Sequence, residues 1–286
     1  MTARNRSRRA AALALGFALP LTAQEPTGTP PVAPPAAGQA DRAKEESSSW
    51  ILHSLSDSFA VPVGGTLRVE HLLGDVRVEA EETDRVHVTA IAQHHRDDPR
   101  APAIRVTEKD SDRILTVEFA ATEGGSDPSW ARRRIDVGLL VPRGLDLEIR
   151  TDRGRIEVKK SESRSRLTSD RGDIVYEGSG SVTAHSERGS LRALLSRTGE
   201  GRKAELSSLT GDLWCTLLEG AHAEVTLETR GTVTTDYSVE IARQAGSPLK
   251  KGRIRLGEEG TRIRLQSHSG GIRVQSVIVP EGREKD

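Results

Sequence analysis

From Trp50 onward the chain alternates apolar and polar residues with a period of two, and no stretch shows the longer period of an amphipathic helix. Thr66 to Glu70, Leu145 to Ile149 and Thr261 to Leu265 each place aliphatic side chains on one strand face and polar or charged ones on the other. Such a pattern predicts an all-β chain whose strands have one dry and one wet face.

A unit recurs within this alternation: two alternating apolar positions, Ser or Thr, a short turn, Gly, and two more alternating apolar positions. It reads Leu147, Ile149, Thr151, Gly154, Ile156, Val158, then Leu167, Ser169, Gly172, Ile174, Tyr176. Further copies carry Ser186 with Gly189 and Leu191, Ser208 with Gly211 and Leu213, Thr229 with Gly231 and Val233, and Ser267 with Gly270 and Ile272. A weaker copy holds Gly252, Ile254 and Leu256, and an isolated early one holds Leu67, Val69, His71, Gly74, Val76 and Val78. Glycines 154 to 270 follow one another at intervals of 18, 17, 22, 20, 21 and 18 residues. A period near twenty with two short strands and a glycine corner predicts a β-solenoid (β-helix-like) over 143–279, in which the second residue after each glycine forms one internal aliphatic column. Glycine is expected at the corner for positive φ. An antiparallel sandwich of hairpins is the competing architecture. Over 50–142 the repeat fades and strands lengthen, so a sheet or sandwich-like section is expected there.

Gly65-Thr-Leu-Arg-Val, Gly74-Asp-Val-Arg-Val, the entry Val137-Gly-Leu-Leu-Val-Pro142 and the serial Ser/Thr-x-x-Gly-x-Ile units together resemble the bacterial putative-adhesin domain family of unknown function, built from β-strand repeats. The likeness covers about residues 55–279. It implies an exported β-solenoid-like domain and supplies no catalytic residues.

The start of the chain adds an address. Arg4, Arg6, Arg8 and Arg9 precede an Ala/Leu-rich stretch from Ala10 to Leu21 and then Ala23, the layout of a secretory signal peptide with cleavage after Ala23. Residues 24–49, with five prolines followed by charged and serine-rich sequence, read as a disordered linker, and 280–286 as a disordered tail. No segment predicts a membrane span. Export to the periplasm or beyond follows, and the lone Cys215 leaves an intrachain disulfide out of reach.

Charge and composition then narrow the function. The 42 basic and 42 acidic residues become 38 and 42 once the four N-terminal arginines are removed, which argues against nucleic acid as a partner. Aromatics at 3% leave few stacking platforms for sugars. The run His94-His95-Arg96-Asp97-Asp98 reads as a solvated polar loop, with a metal or acid/base site as its alternative. The recurring hydroxyls Thr151, Ser169, Ser186, Ser208, Thr229 and Ser267 read as turn-satisfying groups, because a position repeated in every unit cannot be a unique nucleophile. Cys215, in phase with Leu213 and Leu217, reads as a buried small hydrophobe, and Trp214 as outward-facing. Arg171-Gly172-Asp173 is a by-product of the repeat. No nucleotide, zinc-protease or calcium-roll motif occurs, so no cofactor, no metal and no catalytic residue is assigned.

Arg153, Arg171, Arg188, Arg230 and Lys251 immediately precede corner glycines. In a solenoid they would form a basic ladder, one rung per coil at about 4.8 Å, suited to anions or anionic glycans. The competing and favoured reading is a solvated corner whose charge is offset by Asp152, Asp170 and Glu187 alongside. The expected function is an exported, non-catalytic β-repeat module, adhesin-like, that binds or scaffolds envelope polysaccharide or a surface protein. The alternative is a carbohydrate-active enzyme of the parallel β-helix kind, whose carboxylates would gather in one groove. Oligomeric state is open, since the ends of a stack need caps or partners.

Overall fold

The structure is a computed structural model that describes residues 49–62, 64–97, 101–109, 112–119, 133–243, 245–258 and 260–278. The predicted signal peptide, most of the linker, the acidic loop at 123–127, Trp130 and the C-terminal tail lie outside the described residues. Among the described residues there is no helix.

Twenty-one strands run in chain order among the described residues: β1 (Trp50–Phe59), β2 (Thr66–Leu73), β3 (Val76–Glu81), β4 (Val86–His95), β5 (Pro102–Lys109), β6 (Asp112–Phe119) and β7 (Arg133–Pro142) come first. Next are β8 (Asp146–Arg153), β9 (Ile156–Ser161), β10 (Ser165–Arg171), β11 (Ile174–Gly178), β12 (Val182–Arg188), β13 (Leu191–Leu195), β14 (Lys203–Ser208) and β15 (Leu213–Leu218). The last are β16 (Ala223–Thr229), β17 (Val233–Thr235), β18 (Glu240–Arg243), β19 (Lys250–Leu256), β20 (Thr261–Ser267) and β21 (Ile272–Val277). They form two mixed sheets that share one apolar core. The 10-stranded sheet runs β1-β4-β7-β3-β9-β11-β13-β15-β21-β17, and the 11-stranded sheet runs β18-β19-β16-β20-β14-β12-β10-β8-β2-β6-β5. Neither order closes on itself, so neither sheet is a barrel.

Each repeat places its first strand in the larger sheet and its second in the smaller, and copies pair in parallel and in register. Leu147 faces Ser165 and Ser165 faces Val182 in one sheet, while Ile156, Ile174, Leu191 and Leu213 succeed one another in the other. Alternation therefore sends one residue in two inward, and the buried column after the glycines is continuous.

The order of copies departs from chain order at both ends. The early copy is not isolated: Val76 pairs with Ile156 on one side and Val137 on the other, so β2–β3 lies between β6–β7 and β8–β9. The sheets thus run through residue 142 without a break. At the other end the last copy is inserted, because Ile272 pairs with both Leu213 and Val233, and Ser267 with both Ser208 and Thr229.

The weak copy at Gly252 is not a parallel rung. Strand β19 pairs antiparallel with β16, and Ile254 is buried opposite Val225 in the larger sheet, outside the column in which the repeat pattern placed it. Antiparallel strands close both ends of the stack, with β1 and β4 or β5 at one end and β18 and β19 at the other.

Candidate functional site: the glycine corner and its arginine row

The corner is built by backbone approach. A Cβ on Gly172 would lie 1.9 Å from the carbonyl oxygen of Gly154, on Gly189 2.1 Å from that of Gly172, and on Gly211 1.8 Å from that of Gly189. Gly270 stands the same way on Gly211, and Gly231 on Gly270. Positive φ occurs only at the first two corners, Gly74 (131°) and Gly154 (150°). The conformational reason expected from sequence thus holds at the start of the stack, and beyond it the absence of a side chain is what lets one repeat rest on the next.

The recurring hydroxyls complete this contact. Ser186 Oγ donates to the Gly172 carbonyl at 3.0 Å, Ser208 to Gly189 at 3.0 Å, Ser267 to Gly211 at 2.9 Å and Thr229 to Gly270 at 2.6 Å. Ser208 and Ser267 also accept from the amides of Gly211 and Gly270. All are buried, so each bond satisfies a group that water cannot reach. Thr151, at the head of the row, is buried and its Oγ1 has no partner among the described residues.

Carboxylates do similar work on the far side of the glycine. Asp75 accepts from the Arg155 amide, Asp173 from Ser190 at 2.8 Å and Asp212 from Gly271 at 2.6 Å. The Asp of the Arg-Gly-Asp tripeptide is therefore engaged with backbone.

On this frame Arg153, Arg171 and Arg188 stand in register on adjacent strands, all exposed. Neither Arg171 nor Arg188 closes a salt bridge or side-chain hydrogen bond among the described residues, so Asp170 and Glu187 do not pair with them. Two further coils place Thr210 and Ser269 at the same corner before Arg230 appears. Arg230 meets His268 Nε2 at 2.8 Å. Lys251 leaves the row altogether: it lies on β19, 3.8 Å from Glu228. The structure thus brings together three of the five predicted residues.

Between Arg188 and Arg230 lies a shallow hollow lined by His185, Ser207, Glu228, Arg230, Gln266 and His268. His185 Nδ1 and Ser207 Oγ are 2.8 Å apart there. No carboxylate orients the imidazole from its other nitrogen among the described residues, so the pair lacks the third member that a nucleophile–base constellation needs.

The histidine run differs from its expectation. Strand β4 extends through His95, so His94 and His95 are strand residues, and His94 is only 3% exposed. His94 Nδ1 faces the His95 carbonyl at 3.0 Å and must carry the proton there, leaving Nε2 to accept from His53 Nε2–H at 2.9 Å. The imidazole centroids are 5.0 Å apart at 15°, so with the nitrogens this close the rings meet tip to tip. His95 Nδ1 pairs with Asp97 at 3.1 Å. No group of three or more metal-ligating side chains occurs among the described residues.

Cys215 is fully buried, and burial pushes its thiol up to about 12. Trp214 faces outward beneath the Arg192 guanidinium, 4.6 Å from the ring centre. Among the described residues no helix is long and apolar enough to cross a membrane.

The chain matches no family profile and no curated protein. Among solved structures it is similar to a "putative cell adhesion protein" from Clostridium sporogenes, at 13% identity over 79% of this chain and 100% of that one, with a TM-score of 0.45. It is also similar to a "putative adhesin" from Bacteroides fragilis, at 13% identity over 79% of this chain and 97% of that one, with a TM-score of 0.38. A third similarity is to a "putative lipid binding protein" from Parabacteroides distasonis, at 9% identity, 78% and 96% coverage and a TM-score of 0.26. Proteins described as adhesins thus stand among the structural neighbours.

Proposed function

We propose that this chain is an exported, non-catalytic, adhesin-like binding module, that its parallel central section is a β-solenoid, and that an anionic envelope polysaccharide lies along its glycine corner. The carrying observation is the row Arg153, Arg171 and Arg188, exposed and in register on consecutive strands, with Arg171 and Arg188 making no ion pair among the described residues. Guanidinium groups repeating at about 4.8 Å can meet successive carboxylates or phosphates of a polymer bidentately. Arg230, whose guanidinium donates to His268 Nε2, continues the cationic edge across the hollow. Against the enzyme alternative, Asp75, Asp173 and Asp212 are committed to backbone amides and do not gather in a groove.

Replacing Arg153, Arg171 and Arg188 together with Gln tests this. Retention on immobilised polygalacturonate should fall at least tenfold, since each charge-assisted bond contributes about 1.5 kcal/mol or more before screening. Retention equal to that of the wild type would remove the row as a binding face.

A further inference from the structure

Among the described residues the two sheets present four edges, and three of them are protected. Strand β17 has 3 residues and β18 has 4. Strand β5 starts at Pro102 and exposes Arg105, Glu108 and Lys109. The fourth, β1, has 10 residues, with no proline, lysine or arginine, and Asp57 is its only carboxylate. A long, unguarded edge of this kind is a template for another strand.

The backbone direction is set. The Ser49 carbonyl accepts from the Arg96 amide at 2.7 Å, so by antiparallel alternation the odd-numbered residues of β1 turn their backbone groups toward β4. Leu52, Ser54 and Ser56 therefore turn theirs outward. The core-facing side chains of β1 are Ile51, His53, Leu55, Asp57 and Phe59, opposite the buried His94, Ala92, Ala90, Val88 and Val86. Four of the five are only half-buried and Asp57 is exposed, so the core is open along this strand.

We propose that the occupant of this edge is the β1 strand of a second copy, paired antiparallel across a two-fold axis through Leu55. Opposed residues of an antiparallel pair share a face, so the axis must pass through a residue. Through Ser54 it would set Ile51 against the partner's Asp57, and through Ser56 Leu55 against the partner's Asp57. An axis through His53 would oppose two histidines and leave Asp57 past the end of the partner's strand. Only the axis through Leu55 sets Ile51 against the partner's Phe59, His53 against the partner's Asp57, and Leu55 against the partner's Leu55. The one carboxylate of the strand then meets the one imidazole twice over, and the three apolar positions extend the core across the axis. Leu52, 68% exposed, and Ile91, 52% exposed, flank the same joint on the outer face.

Sedimentation velocity on the purified chain should give twice the mass of one chain. Ser54→Pro, which removes an outward amide, should return it to a monomer that still melts cooperatively, at a temperature no longer dependent on protein concentration. Oxidised Leu55→Cys should form a covalent dimer, because the two copies of residue 55 lie within disulfide reach on the axis. Leu52→Cys, although more exposed, should not, because its copies would sit about 20 Å apart. A monomeric wild type, or cross-linking of Leu52→Cys as fast as Leu55→Cys, overturns the proposal. Neither outcome bears on glycan retention, which a single copy supports.

Discussion

Replacing Gly211 by alanine adds one methyl group at the tightest contact of the stack. That carbon would sit 1.8 Å from the Gly189 carbonyl oxygen, 2.3 Å from its carbon and 2.8 Å from the Ser190 nitrogen, all of them backbone. No side chain can swing away, so the two coils must separate by about an ångström or more. The same gap is spanned by Ser208 Oγ to the Gly189 carbonyl at 3.0 Å and is braced by the Gly211 amide to Ser208 Oγ at 2.9 Å. Overpacking costs about 1–3 kcal/mol, and each buried group left unsatisfied about 1–3 kcal/mol. The expected loss is about 4 kcal/mol, a large part of the roughly 5–15 kcal/mol that holds a domain folded. Gly144→Ala is the control: nothing lies within 4 Å of its added carbon and its φ is not positive. It should be neutral or gain up to about 1 kcal/mol through the unfolded chain. Urea unfolding at constant slope reads both. A Gly211→Ala midpoint equal to that of Gly144→Ala would refute the claim that coils rest glycine on glycine.

Three further outcomes follow from the same geometry. Ser208→Ala, which strands the Gly189 carbonyl and the Gly211 amide, should cost about 2 kcal/mol in urea unfolding, whereas Thr151→Val, whose hydroxyl has no partner among the described residues, should be near neutral. Cys215 should resist an aromatic disulfide reagent at pH 8 in the folded chain and react at once in urea; fast labelling of the native protein would contradict its burial. Burial raises both Cys215 and Tyr176 to about 12, above their unfolded values, so this stability is present below about pH 9 and is lost as pH rises toward 12. Between those limits Cys215→Ala should flatten the fall by up to about 1.4 kcal/mol per pH unit.

The alternation and the glycine spacing were enough to read the strands, their inward faces and the aliphatic column. The hydroxyl row was legible too, since a buried Ser or Thr beside a backbone corner has few other uses. What spacing could not carry was the order of the coils. Copies of one chemistry stack interchangeably, so nothing in the letters says that Ile272 lies between Leu213 and Val233.

Lys251 was misplaced for a visible reason. From Gly154 onward every true corner has a hydroxyl two or three residues before its glycine, whereas Gly252 has Leu249 and Lys250 there. The histidine run was read as a loop because its polarity masks the strand period, yet His94 continues the inward phase of Val88, Ala90 and Ala92. The edge pairing of β1 needed the sheet order, which no local pattern contains.

Disulfide trapping on the outer face of the larger sheet tests the stack most directly. Ser207 is in register with Gln266 on the adjacent strand, and Glu228 lies one strand further. With Cys at 207 and 266 the folded chain should close an internal disulfide under mild oxidation, and with Cys at 207 and 228 it should not, the Cα atoms being about 10 Å apart. Closure of 207 with 228 but not with 266 would mean that coils stack in chain order, and closure of neither would mean that the copies are not parallel neighbours at all.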